Sequence, residues 1–155
     1  MKTYTLFRTQ FLPISLKKAW EFFSSPNNLS LITPQKMNFK ILSMTGGEKM
    51  HTGQLITYRV NVLPLVRVKW VTEITSVQEL HSFTDCQKSG PYSLWLHTHT
   101  FREVEGGIEM TDQIKYALPL GILGELVHAV LVKREVSAIF DHRFKVLQNP
   151  EIFNL

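Results

Sequence analysis

"GPYSLWLHTHTF", residues 90–101, reads as a turn that opens into a strand. After Gly90-Pro91 the chain alternates without a break. Leu94, Leu96, Thr98 and Thr100 fall on one side; Trp95, His97, His99 and Phe101 fall on the other. A period of two excludes a helix here, and the turn residues before it mark a hairpin. One side of this strand sets two histidines between two large aromatics. Which side faces inward decides what the protein is built around.

The flanking stretches settle the question. "GQLITYRVNV" and "VRVKWVTEITSV" are strands joined at Leu63-Pro64-Leu65. In the second, Arg67, Lys69, Glu73 and Thr75 must face water, which turns Val68, Trp70, Thr72 and Ile74 inward. "HSFTDCQK" forms a hairpin with the His-x-His strand around Ser89-Gly90-Pro91. "GIEMTDQIKYAL" follows a turn at Glu105-Gly106-Gly107, and its Ile108, Met110, Asp112, Ile114 and Tyr116 face in. The aromatic side of the opening strand is therefore the inner one. A short strand at "FKILSM" and a first strand from about Lys2 to Phe11 complete an antiparallel meander.

Helical signals occupy the two remaining segments. Ser15 caps a helix over "LKKAWEFF", with Ile14 and Ala19 as a hydrophobic staple, and Ser24-Ser25-Pro26 ends it. "NNLSLITP" reads as a second short helix stopped by Pro34. From about Gly121 to Gln148 the pattern is a long amphipathic helix. Ile122, Leu126, Ala129, Val136, Phe140 and Leu147 share one stripe, interrupted by Lys133; Glu125, Arg134, Glu135, Asp141 and Lys145 make the outer face. The expectation is one α+β domain over residues 1–155, a curved antiparallel sheet covered by its last helix.

Composition narrows the function classes. A content of 44% hydrophobic and 19% charged residues is that of a soluble globular chain. Cys86 is the only cysteine, so neither a disulfide framework nor a cysteine knuckle can form. "MKTYTLFRTQFLP" lacks a continuous apolar core, so no signal peptide is expected. "ALPLGILGELVHAVLV" is cut by Pro119, Glu125 and His128, so no membrane insertion is expected either. The expected location is cytoplasmic. The net charge of +4 comes without a basic cluster interleaved with aromatics, which argues against nucleic acid as a partner. No serine triad, glycine-rich phosphate loop or nucleophile elbow is present.

The inner face carries the chemistry. His97, His99, Asp85, Gln87 and Asp112 are expected on a surface otherwise made of Tyr58, Trp70, Phe83, Trp95, Phe101 and Tyr116, with Phe140 of the last helix above it. Tight turns would set Asp85 opposite Trp95, Phe83 opposite His97 and His99 opposite Asp112; a two-residue slip would change partners but not faces. Unpaired, so many polar groups on an apolar face would cost several kcal/mol. Three arrangements satisfy them: an internal hydrogen-bond network, the polar floor of a ligand cavity, or a metal site. Two-histidine spacings recur by chance, so no metal and no cofactor is expected. If the site is catalytic, His97 or His99 is the candidate general base, oriented by Asp112 or Asp85. Lys133 could extend to solvent or reach across the cavity mouth.

Strand, two short helices, six strands and a long helix is an order that resembles the helix-grip fold of the START-like, or SRPBCC, superfamily. That superfamily includes polyketide cyclases and dehydratases, lipid-transfer domains and the birch-pollen allergen. "SSPNNLSLITP", "FTDCQKSGPYSLWLHTHTF" and "YALPLGILGEL" resemble the signatures of its bacterial ligand-binding group. The chain departs from that pattern at Cys86, where an acidic residue is expected. The resemblance implies a cavity between sheet and last helix, holding a small hydrophobic ligand. Its floor would include Trp70, Asp85, Trp95, His97, His99 and Asp112. Its lid would be the inner stripe of the helix and the insert around Leu29 to Ile32. Alternatives are a cyclase- or dehydratase-type enzyme and an interaction domain with a filled core.

Overall fold

The computed structural model describes residues 2–63, 66–119, 121 and 126–154. Seven strands form one antiparallel sheet in the order β1-β7-β6-β5-β4-β3-β2. They are β1 (Tyr4–Leu12), β2 (Lys40–Met44), β3 (Leu55–Leu63), β4 (Val66–Gln78), β5 (Ser82–Ser89), β6 (Leu94–Val104) and β7 (Gly107–Ala117). From β2 to β7 each strand pairs with the next, and β7 then pairs with β1. The first two strands therefore sit at opposite edges. Helix α1 (Leu16–Phe23) and two 3-10 turns (Pro26–Ile32 and Gln35–Met37) span the distance between them. Bulges between Ile41 and Ser43, Asn61 and Leu63, Val71 and Thr72, and Ile74 and Ser76 bend β2 to β5.

Local chemistry explains the elements. Ser15 accepts a hydrogen bond from the Lys18 backbone N–H at 3.3 Å, the expected cap of α1. That helix buries Ala19, Trp20, Phe22 and Phe23 against Phe83, Phe101 and Phe153. Where β1 leaves the sheet, a side chain at Gly107 would meet the Leu12 carbonyl oxygen at 2.2 Å; only glycine lets the two backbones approach this closely. Leu12, Ile108, Met110 and Ile114 are fully enclosed beneath. Each such side chain contributes about 1.5–3 kcal/mol through burial.

The chain closes with a π-helical turn at His128–Val132, then α2 (Lys133–Leu147) and a 3-10 turn at Pro150–Asn154. Val132, Val136, Phe140, Arg143 and Leu147 are the buried face. This corrects the expected stripe. Leu126 is 61% exposed, and Lys133 also faces solvent. The π turn adds one residue per turn, so a 3.6-residue stripe extended back from Val136 loses phase. Glu135, expected outside, is half-buried and held by Lys36 at 2.9 Å. Ile122, Glu125 and the Pro64-Leu65 connection lie outside the described residues, as does the Ala129 side chain. Among the described residues no helix is long and apolar enough to cross a membrane.

Candidate functional site

Between the sheet and α2 lies a cavity of about 160 Å³. From the sheet it is lined by Tyr58, Trp70, Thr72, Phe83, Asp85, Trp95, His97 and His99. Val136, Ile139, Phe140 and Arg143 line it from α2, and Leu29, Ile32 and Met37 from the insert after α1. Aromatic rings make much of the wall. Trp70 stacks on Tyr58 at 5.9 Å and meets Trp95 edge-on at 5.4 Å. Phe83 stacks on His99 at 4.2 Å.

Four residues of the expected inner face do not line this space. Phe101 packs into the α1 core beside Trp20 and Phe23. Tyr116 packs with Tyr4, Tyr92 and Trp95. Asp112 sits behind the histidines. Gln87 holds a loop: its amide donates to the Tyr92 carbonyl at 2.6 Å and accepts from the Tyr92 N–H at 3.2 Å. That pair of bonds explains a register difference. Phe83 faces His99 and Asp85 faces His97, two residues away from the tight-turn expectation. The Gln87 side chain substitutes for a further ladder rung and widens the hairpin loop. Gly90 leaves the space: a β-carbon there would lie 2.4 Å from Gln87 Oε1. On the other side the expected pairs hold, with His99 opposite Asp112 and His97 opposite Ile114.

The polar wall is a layered cluster. Innermost is one oxygen, Asp112 Oδ1. His97 Nε2 donates to it at 2.8 Å. His99 Nδ1 lies 2.9 Å from the same oxygen but outside hydrogen-bond geometry, and Arg143 Nη1 lies at 3.5 Å. The two imidazoles are 3.9 Å apart, centroid to centroid. On the cavity side stands Asp85, whose Oδ2 is 3.6 Å from His97 Nδ1 and 3.9 Å from His99 Nε2. An ionised Asp112 offers only acceptors, which assigns a ring proton to His97 Nε2 and leaves Nδ1 of that ring facing Asp85. His99 Nε2 faces the same carboxyl.

Burial sets the charge states. It would raise Asp112, but the charge of His99, the His97 hydrogen bond and the Arg143 guanidinium outweigh it and hold this carboxyl well below the usual carboxylate range. Burial, then the charge of His99, drives His97 down to about 3 against the pull of Asp112. Asp85 is pushed up to about 6 by burial, despite His99 and Arg143. Burial raises the Tyr58 phenol, which shares a 3.1 Å hydrogen bond with Thr72. The Cys86 thiol is raised as well, by burial and then by Asp85 and Glu73. The shift disfavours the thiolate, the reactive form.

Of the candidate bases, His97 is a poor proton acceptor and Asp112 does not reach the cavity. Asp85, on the cavity wall, is held at about 6, within reach of neutral pH, the condition for moving protons. Arg143 is a site residue that sequence reasoning missed. Its place on the helix gave a signal, since it falls between Phe140 and Leu147 on the buried stripe. Tyr92 also enters the cavity wall, from a loop whose orientation no periodicity fixes.

No family model and no curated protein matches the sequence. Solved structures do match it. TTHA0849 from Thermus thermophilus is 15% identical over 97% of each chain, with a TM-score of 0.70. A point mutant of norcoclaurine synthase from Thalictrum flavum, solved with a transition-state analogue, is 13% identical over 95% of each chain, with a TM-score of 0.65. Major latex-like protein 151 from Panax ginseng is 16% identical over 88% of this chain and 96% of that one, with a TM-score of 0.59. At these identities the likeness carries the fold. It is the α+β helix-grip fold.

Proposed function

We propose that this helix-grip chain binds a small, largely apolar molecule in the cavity between its sheet and α2. The observation that carries the reading is the wall itself. Stacked aromatics and aliphatic side chains surround a few convergent polar groups, the usual composition of a small-molecule site. Trp70 Nε1 and Arg143 Nε are buried there without a hydrogen-bond partner. Each is a donor that a polar group on the ligand would satisfy. A domain with a filled core would leave no such space.

The test is a fluorescence titration. Trp70 and Trp95 touch the cavity, so an apolar ligand that enters should change their emission saturably. Lipophilic probes should also compete with one another. Emission that stays constant across chemically varied probes, with no competition among them, counts against the proposal.

A cyclase- or dehydratase-type reaction is the second reading. The observation favouring it is Asp85, a carboxyl held near 6 on the cavity wall beside two imidazoles. In that case Asp85 takes the substrate proton, and the Arg143 guanidinium, which lines the same cavity, stabilises the negative charge left on the substrate. Turnover lost in Asp85→Asn while ligand affinity is retained would support it; turnover unchanged in that variant would remove it.

A further inference from the structure

The pattern His-x-His, taken alone, argues weakly for a metal. The geometry around it argues more strongly. Asp112 Oδ1 lies behind both rings, hydrogen-bonded to His97 Nε2 at 2.8 Å and 2.9 Å from His99 Nδ1. The other ring nitrogens, His97 Nδ1 and His99 Nε2, face the Asp85 carboxyl at 3.6 and 3.9 Å from Oδ2, so three ligand-type atoms converge on one another. No proton shared along a normal hydrogen bond fits those distances. All three atoms lie within 4.8 Å of one another.

We infer that Asp85 Oδ2, His97 Nδ1 and His99 Nε2 form a three-ligand site for a divalent first-row transition metal ion such as Zn²⁺ or Fe²⁺, open towards the cavity. Metal–ligand bonds of about 2.0–2.2 Å place neighbouring ligand atoms about 3–3.5 Å apart, so the site closes on an ion by a shift of well under about 1 Å per atom. Two imidazoles and one carboxylate are the donor set of catalytic zinc and non-haem iron sites, which leave positions free for water or substrate. Asp112 is then the outer carboxylate that fixes both ligand rings, the usual companion of metal-bound histidine. The remaining coordination positions face the aromatic chamber, where a ligand oxygen would reach the ion. The site needs no organic ligand to form, so its failure would leave the small-molecule reading standing, and the reverse also holds.

The full chain is stripped with chelator and titrated with Co²⁺, read by its visible d–d bands, and with Zn²⁺, read by calorimetry. The expected result is saturable binding of one ion per chain, with a Co²⁺ spectrum of low coordination number. Asp85→Asn and His99→Gln should abolish it. Asp112→Asn, which touches no metal, should weaken it by about 10- to 100-fold. His51→Ala/His81→Ala, which removes two exposed histidines, should change nothing. Should His99→Gln fail to fold, as judged by circular dichroism, Asp85→Asn carries the test, because Asp85 is the least enclosed of the three ligands. Absence of one-per-chain binding overturns the inference. So does binding that survives Asp85→Asn, or binding lost only with the exposed histidines.

Discussion

Asp112→Asn is the perturbation that probes the cluster most sharply. The substitution keeps the shape and one carbonyl oxygen but removes the charge on which three groups converge. His97 Nε2 at 2.8 Å would lose a charge-assisted hydrogen bond and keep at best a neutral one, a loss of about 1 kcal/mol. His99 Nδ1 at 2.9 Å loses a comparable electrostatic contact. Arg143, 6% exposed, is left without its nearest counter-charge, and orphaning a buried ion costs about 3–5 kcal/mol when it cannot reach water. Asp85 and the cavity soften that last contribution, so the expected total is about 3–4 kcal/mol. Urea unfolding at pH 7, followed by tryptophan emission and by circular dichroism, would measure it, provided the m-value is unchanged. Asp112→Asn/Arg143→Met should cost less than the two single changes summed, by about 1–3 kcal/mol, because the stranded guanidinium is gone. A single-mutant loss below about 0.5 kcal/mol, or an additive cycle, would refute the shared-oxygen arrangement.

Three further outcomes follow from the same geometry. The folded-state pKa of Asp85 lies above its unfolded value, at about 6 rather than 3.8, so ionising it destabilises the fold, and stability falls as pH rises between those values. Asp85→Asn in metal-free protein should therefore be neutral to stabilising above pH 6, by up to about 1–3 kcal/mol, with the gain vanishing near pH 4; a loss at pH 7 that persists at pH 4 would contradict it. His97 is depressed to about 3, so its contribution is complete above the unfolded value of 6.5 and should decline as pH falls towards 3; NMR titration of its ring should show no midpoint above pH 5. Gly90→Ala puts a methyl group 2.4 Å from Gln87 Oε1, and should break the bonds to Tyr92 and cost about 1–2 kcal/mol, whereas a neutral result would mean that the loop has another support.

Alternation made most of the sheet legible. His97, His99, Trp95, Trp70, Phe83 and Asp85 take the face that the charged residues opposite them require, because a one-residue slip would expose the whole set. Strand pairing was readable only where the turn was short. Glu105-Gly106-Gly107 allowed one solution, and His99 faces Asp112 as expected. The loop after Lys88 allowed more than one, and the choice fell to the Gln87 side chain, whose role as a backbone substitute no pattern announces. The last helix was harder to phase. Its π turn broke the period, turning Leu126 and Lys133 outward. Arg143 was legible by spacing but is the residue type least expected to be buried, so the stripe passed over it. The cavity itself depends on bulges and on the angle of α2 over the sheet, neither of which is written in periodicity.

Native mass spectrometry of the chain, purified without detergent, tests the central claim most directly. The account predicts a population heavier than the polypeptide by the mass of a small organic molecule, lost on denaturation. Added lipophilic probes should bind at one per chain, and Ile139→Trp, which fills the cavity from α2, should exclude them. A spectrum showing only the bare polypeptide, with probes that bind Ile139→Trp as well as the parent chain, would contradict it.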